Sequence, residues 1–281
     1  MPTAAAEIVA LLERLDAALP LPRVAAVHLP PPSADGSKDG EFGAVELDDG
    51  SIGLSFVLLG DTLAALRGGD AASPVGRPAI DVARQYATAR GAERALGFAT
   101  VNALTRHLYD RAGFVPPAAA GSLGDLDLAP GDRVGMVGLF PPLVPQVLAC
   151  GARLTVVELR ADLAGPRDGW EVTLDAEALR RCDKVLSTST VLLNDTLDDI
   201  LARCVGATRV ALIGPGAGCL PDALFARGVT SMGGSWVADS TAFRQALLAG
   251  DRWGRFAPKF ALRREDYPGF DVLLARALTA R

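Results

Sequence analysis

The sequence predicts an α/β protein in two parts, a small α+β unit followed by a Rossmann-like parallel-sheet unit. Three observations carry this. Up to about residue 115 an amphipathic start is followed by three short apolar runs and then by long helical periodicity. A Pro-, Gly- and Ala-rich stretch without periodicity, "FVPPAAAGSLGDLDLAPGD", comes next, and beyond it strand-like and helix-like segments alternate to about residue 250. With 281 residues, 49% of them hydrophobic, the chain has the apolar material for a sizeable core.

The start "MPTAAAEIVALLERLDAAL" places Glu7, Glu13, Arg14 and Asp16 among its apolar residues, which suits an amphipathic helix and neither a membrane span nor a signal peptide. "RVAAVHL", "FGAVELDDG" and "IGLSFVLL" read as three strands, the last two joined by a "DDG" hairpin turn, so an antiparallel sheet is expected. "DTLAALRG", "AIDVARQYATAR" and "AERALGFATVNALTRHLYDRAG" follow with apolar residues at helical spacing. The aperiodic stretch reads as the connection, which puts the units at residues 1–120 and 126–281. In the second unit "RVGMVGLF", "RLTVVELR", "KVLSTST", "RVALIGPG" and "VTSMGGSWV" read as strands. The helical segments "PPLVPQVLAC", "AEALRRC", "TLDDILARC" and "PDALFARG" fall between them, and "STAFRQALLAG" follows the last. Short links and right-handed crossovers make this a parallel sheet with helices on both faces.

Composition narrows the function. A net charge of −5 with no Lys/Arg cluster beyond short pairs leaves no footprint for nucleic acid or an acidic membrane surface, so a small-molecule partner is expected and homo-oligomerisation stays open. The four cysteines form no C-x-x-C pair and no secretory signal is seen, which points to a reducing, cytoplasmic compartment. Two histidines far apart in the chain do not make a dedicated metal cage.

Open parallel sheets bind ligands outside the carboxyl ends of their strands, and the candidate residues follow from that rule. "LSTSTVLLND" ends the third strand of the second unit, offering Ser189, Thr190 and Asn194, with Asp195 at the lip and Thr196 and Asp199 resembling a helix cap. The first strand runs into "VGLFPPLVP", where a dinucleotide fingerprint would lie. After Gly138 its next glycines are replaced by Phe140 and Leu143, and Pro141 and Pro142 lack N–H donors, so classical NAD(P) binding is not expected. Glu158, about 20 residues on, is either a ribose ligand or a solvated strand-end carboxylate. In "IGPGAGC", Gly214, Pro215, Gly216 and Gly218 allow either close approach to a ligand or a tight loop. "GGSWVAD" repeats the arrangement with Gly233, Gly234, Ser235 and Trp236, whose indole could stack on a planar ligand or cover the core. Cys150, Cys182 and Cys204 close helices at the opposite sheet end. Cys219 alone lies on the crevice side, as a metal ligand or a buried thiol. Asn102 is polar in an otherwise apolar helix and must be hydrogen-bonded, to an interface or a ligand.

Taken together, "NAL" at 102–104, "VGLFPPLV" at 137–144, "VVEL" at 156–159, "STSTVLLNDTLDDIL" at 187–201, "IGPGAGCLPDALFARGV" at 213–229 and "GGSWVAD" at 233–239 resemble the family described as putative heavy-metal chelation proteins. The resemblance implies an enolase-N-terminal-like domain fused to a Rossmann-like domain, with a crevice facing the smaller one. It does not import enolase chemistry, because only Lys38, Lys184 and Lys259 are present and no carboxylate ligand set is apparent. Two classes of function remain open at this point. One is binding or handling of a small polar ligand, such as a heavy-metal chelate or its organic chelator. The other is an enzyme acting on a nucleoside-containing or chelator-precursor substrate. The absence of a visible nucleophile, base and orienting group favours the first.

Overall fold

The structure, a computed structural model, describes residues 2–31, 41–69 and 73–280. Lys38 lies outside them. Helix α1 (Ala4–Ala18) starts where the Thr3 hydroxyl accepts from the Ala6 N–H, and its Ile8, Leu12 and Leu15 face is fully buried. Strands β1 (Val24–His28), β2 (Phe42–Leu47) and β3 (Ile52–Phe56) pair antiparallel in chain order. The turn between β2 and β3 closes through Gly50 at φ +87°, a conformation that favours glycine.

Four helices follow: α2 (Thr62–Gly68), α3 (Ala79–Ala83), α4 (Gln85–Thr88) and α5 (Gly91–Arg111). The stretch expected as one helix, "AIDVARQYATAR", is broken at Arg84 into α3 and α4. That break delivers Tyr86 against Phe98 of α5, with ring centroids 4.7 Å apart. Helix α5 lies directly on the sheet because Gly53 has no side chain. A Cβ there would stand 2.1 Å from the Ala99 carbonyl oxygen and 2.2 Å from the Ala103 nitrogen.

The second unit contains β4 (Arg133–Val137), α6 (Val144–Ala149), β5 (Arg153–Val157), β6 (Gly165–Arg167), β7 (Trp170–Thr173), β8 (Lys184–Thr188), α7 (Leu197–Arg203), β9 (Arg209–Ile213), α8 (Asp222–Ala226), β10 (Ser231–Ser235), α9 (Ser240–Ala249), β11 (Lys259–Arg263) and α10 (Phe270–Thr279). Its sheet has the order β11-β10-β9-β8-β4-β5-β7-β6, parallel from β10 to β7 with antiparallel strands at both edges. The chain runs outward from β4 through β5 to β7, then returns to build β8, β9 and β10 on the other side. The fold is therefore mixed α/β with a large, mostly parallel sheet, as the alternation predicts. "AEALRRC" forms a short 3-10 helix at 176–181 rather than an α-helix, and the β6/β7 hairpin and β11 add to the five expected strands.

The apolar core runs without a break from α1, α4 and α5 into α7, α8 and α10. Among the described residues no helix is long and apolar enough to cross a membrane.

The aperiodic stretch is part of the packing. Residues 117–119 run along the outer edge of β11, where Ala119 N–H donates to Lys259 and Ala261 N–H to Pro117. Gly124, at φ +63°, then lies on the sheet face, and Leu126 is 1% exposed. A Cβ on Gly124 would stand 2.7 Å from the Ala211 Cβ. Gly124→Ala is therefore expected to cost about 1–3 kcal/mol, seen as a lower urea midpoint with an unchanged slope. A wild-type midpoint would show that this segment is not held against the sheet.

Candidate functional site

A cleft opens where the edge of β3 and one face of α5 meet the strand ends of the large sheet. β3 contributes Ile52, Gly53 and Leu54, and α5 contributes Asn102, Arg106 and Tyr109. Opposite them stand Pro215 and Gly218 from the loop after β9, Ser235, Trp236 and Val237 from the end of β10, and Phe260 of β11. Its enclosed part is small, about 20 Å³, room for little more than one water molecule before the mouth opens to solvent.

Asn102 is the polar centre of this cleft and is only 5% exposed. Its Nδ2 donates to the Leu54 carbonyl at 2.7 Å and to the Gly216 carbonyl at 2.9 Å, so both amide hydrogens bridge the two halves of the chain. Turning the amide over would set its oxygen against two carbonyl oxygens, so these bonds also fix its orientation. Oδ1 is left buried without a protein partner. A buried acceptor in that state costs about 1–3 kcal/mol unless something donates to it. Gly218 stands beside it, since a Cβ there would lie 3.7 Å from Oδ1.

Aromatic rings wall the cleft. Trp236 stacks on Tyr109 with centroids 6.2 Å apart and meets Phe260 edge-on. The Arg106 guanidinium carbon lies 3.9 Å from the Trp236 ring centroid, so one face of the indole already carries a cation. Nε of Arg106 donates to Asp110 at 2.7 Å and Nη1 to the Val237 carbonyl at 2.8 Å.

The structure brings Asn102, Pro215, Gly218, Ser235 and Trp236 together at the cleft, and Gly216 takes part through its carbonyl. The other glycines serve protein contacts. A Cβ on Gly214, which has φ +147°, would stand 2.2 Å from the Ser189 Oγ, and one on Gly234 would stand 2.6 Å from the Phe260 ring. Gly233 packs beside Ile213.

The hydroxyl-rich turn does not line the cleft. Thr188 Oγ1 donates to Thr190 Oγ1 and accepts from the Thr190 N–H, and Ser189 is buried against Gly214. Asn194 Oδ1 accepts from the Thr196 N–H and hydroxyl, which replaces the expected Thr196–Asp199 cap. Asp195, at φ +60°, pairs with Arg94 at 2.6 Å, and the Leu192 carbonyl accepts from the Tyr86 hydroxyl. This turn therefore fastens the second unit to α4 and α5. Gly138, Phe140 and Glu158 sit at the ends of β4 and β5, beyond β8 and β9 from the cleft. Glu158 accepts from the next backbone N–H, that of Leu159. The crevice expected across all these strand ends contracts to the β9–β10 end, because α5 descends there.

Of its two readings, Cys219 takes the buried thiol. It is 2% exposed, and burial pushes its thiol up to about 12. Cys182 and Cys204 are buried as well, with thiols raised by burial to about 11 and about 12. Among the described residues no three His, Cys, Asp or Glu side chains come together as a metal site. His107 is held by Asp49 at 2.6 Å, and His28 by Glu46 at 2.7 Å. Only Cys150 is part-exposed, so native protein at pH 8 is expected to react with one equivalent of a disulfide reagent, the other three thiols appearing on unfolding. Fast reaction of a second thiol, mapped to Cys219, would restore it as an accessible ligand.

Arg106 and Tyr109 were not among the sequence candidates. Both lie on the helix face of Asn102, four and seven residues on, so following that face from the buried amide would have found them. Val237, Phe260 and the β3 edge carry no comparable local signal.

Models of two families, both described as "Putative heavy-metal chelation", match residues 123–265 and 41–105. An uncharacterized protein of Methanocaldococcus jannaschii is 29% identical over 150 residues, which is 52% of this chain and 56% of that protein, so the match spans little more than half of the relative's length. Two solved structures share the fold, each described as a protein with unknown function from the DUF364 family. The one from Desulfitobacterium hafniense is 20% identical, covering 91% of this chain and 99% of its own, with a TM-score of 0.68. The one from Pyrococcus horikoshii is also 20% identical, covering 93% and 100%, with a TM-score of 0.68.

Proposed function

The chain belongs to the family described as putative heavy-metal chelation, and from that premise we propose that the cleft between β3 and β10 binds an organic chelator or the metal complex it forms, and not the naked ion. What supports this reading is the unpaired Asn102 Oδ1. A free transition-metal ion calls for several N, O or S donors, usually including charged ones. The cleft lining carries no carboxylate, thiol or imidazole among the described residues, and it does carry the Arg106 cation. A coordinated amine or hydroxyl is a better fit. Coordination uses its lone pair and leaves its N–H or O–H pointing outward, which is what a fixed, buried acceptor can receive. The Ser235 hydroxyl and the aromatic walls then hold the organic frame.

Gly218→Ala tests this with little risk to the fold, because the added methyl makes only ordinary contact with the Asn102 amide. Calorimetry would compare zinc chloride, iminodiacetate and the zinc–iminodiacetate complex on both proteins. The complex or the free chelator is expected to bind wild type, and the variant to bind about tenfold more weakly, the value of one hydrogen bond of about 1.4 kcal/mol. Stoichiometric binding of zinc alone with no response to chelator, or equal chelator affinity for both proteins, would overturn the proposal.

A further inference from the structure

Resting on that reading of the cleft, we infer the class of ligand: a carboxylate next to an N–H or O–H donor, as in α-amino and α-hydroxy acids, with the donor facing Asn102 Oδ1 and a carboxylate oxygen facing Arg106. The argument is geometric. Asn102 and Arg106 stand four residues apart on α5, so their Cβ atoms lie about 5–6 Å apart on one helix face. Two side chains at that spacing can read the two ends of an amino-acid head group at once.

Arg106 is held in place for this role. Asp110 takes its Nε, the Val237 carbonyl takes its Nη1, and the Trp236 ring lies 3.9 Å from its guanidinium carbon. Nη2 has no protein partner among the described residues. A guanidinium fixed on three sides with one donor nitrogen left over suits a carboxylate oxygen, and it disfavours a purely cationic ligand. The Asn102 oxygen on the same face disfavours a ligand made of carboxylates alone, since two acceptors cannot pair. A ligand carrying both groups satisfies both residues.

Kinetically inert cobalt(III) complexes separate these requirements, because their coordinated ligands do not exchange and any binding is through outward-facing groups. Tris(glycinato)cobalt(III) presents amine N–H next to carboxylate, tris(ethylenediamine)cobalt(III) presents N–H only, and tris(oxalato)cobaltate(III) presents carboxylate only. Calorimetry on the full chain is expected to show tightest binding of the glycinato complex. Arg106→Gln should weaken that complex at least tenfold, Arg106→Lys should weaken it less, and neither should improve the oxalato complex. Circular dichroism checks that both variants are folded. If wild type binds the glycinato and ethylenediamine complexes alike and neither Arg106 variant changes either, the carboxylate requirement is wrong while the cleft reading stands. If Gly218→Ala also leaves both affinities unchanged, the cleft reading falls with it. Failure of wild type to bind the glycinato complex overturns the ligand class.

Discussion

Gly53→Ala is expected to abolish the native fold. A Cβ at this position of β3 would lie 2.1 Å from the Ala99 carbonyl oxygen and 2.2 Å from the Ala103 nitrogen, where real Cβ atoms do not come closer than about 3 Å. Both obstacles are backbone atoms in the middle of α5, so no side-chain rotation relieves them. The helix would have to lift by the better part of an ångström along its centre. That movement would loosen Phe98, Val101 and Leu104, all buried in the core shared by the two halves of the chain. It would also pull the Asn102 amide away from Leu54 and Gly216. A cost above about 4 kcal/mol is large against the roughly 5–15 kcal/mol that holds a domain together. Expression yield and circular dichroism would show it, and a soluble, cooperative Gly53→Ala protein melting within a few degrees of wild type would refute the close packing of α5 on β3.

The second large effect is expected at Asn102. Asn102→Ala removes both N–H donors and leaves the Leu54 and Gly216 carbonyls without them, at about 1–3 kcal/mol for each unpaired buried group. Removing the unpaired Oδ1 returns part of this, so a net loss of about 2–4 kcal/mol is expected. Asn102→Asp should behave differently with pH. An ionised carboxylate would face two carbonyl oxygens in a buried site, whereas its protonated form can still donate to one of them, so the folded state favours the proton. Its folded pKa is therefore raised above the unfolded value of about 3.9, the native state binds more protons than the unfolded state above that pH, and stability falls as pH rises. Urea denaturation at pH 4 and pH 7 should show the variant closer to wild type at pH 4 and further from it at pH 7. The reverse order, or a Asn102→Ala protein of wild-type stability, would mean that the amide does not bridge β3 and the loop after β9.

The elements legible from the sequence are those with a clear apolar pattern. The helical spacing of α1, the long apolar stretch of α5, the three antiparallel strands, and the alternation that builds β4, β5, β8, β9 and β10 are written in apolar runs of helix or strand length bounded by turn residues, most of those strands being buried on both faces. Residues 117–128 escaped that logic. A segment crossing a sheet, bent by positive φ at Gly124, Asp125 and Asp127, has no period to detect, although it buries Gly124 and Leu126 against the sheet. The β6/β7 hairpin and β11 were not expected either: they pair antiparallel at or next to the sheet's edges, outside the alternation of strand and helix.

By itself the sequence determined the α/β order of elements and the position of Asn102 as an amide in an apolar helix. Only the tertiary structure decided which of the polar residues at the strand ends meet one another. Ser189, Asn194 and the glycine loops have the composition of a lined pocket, yet most of their groups close local turns or admit a neighbouring atom. Local chemistry looks the same in both roles. The difference arises from where α5 crosses, and that is set by the contact of Leu54 with Gly216 through Asn102, residues 48 and 114 positions apart from it along the chain. No short-range pattern encodes such a meeting, because it follows from the packing of two sheets around one helix.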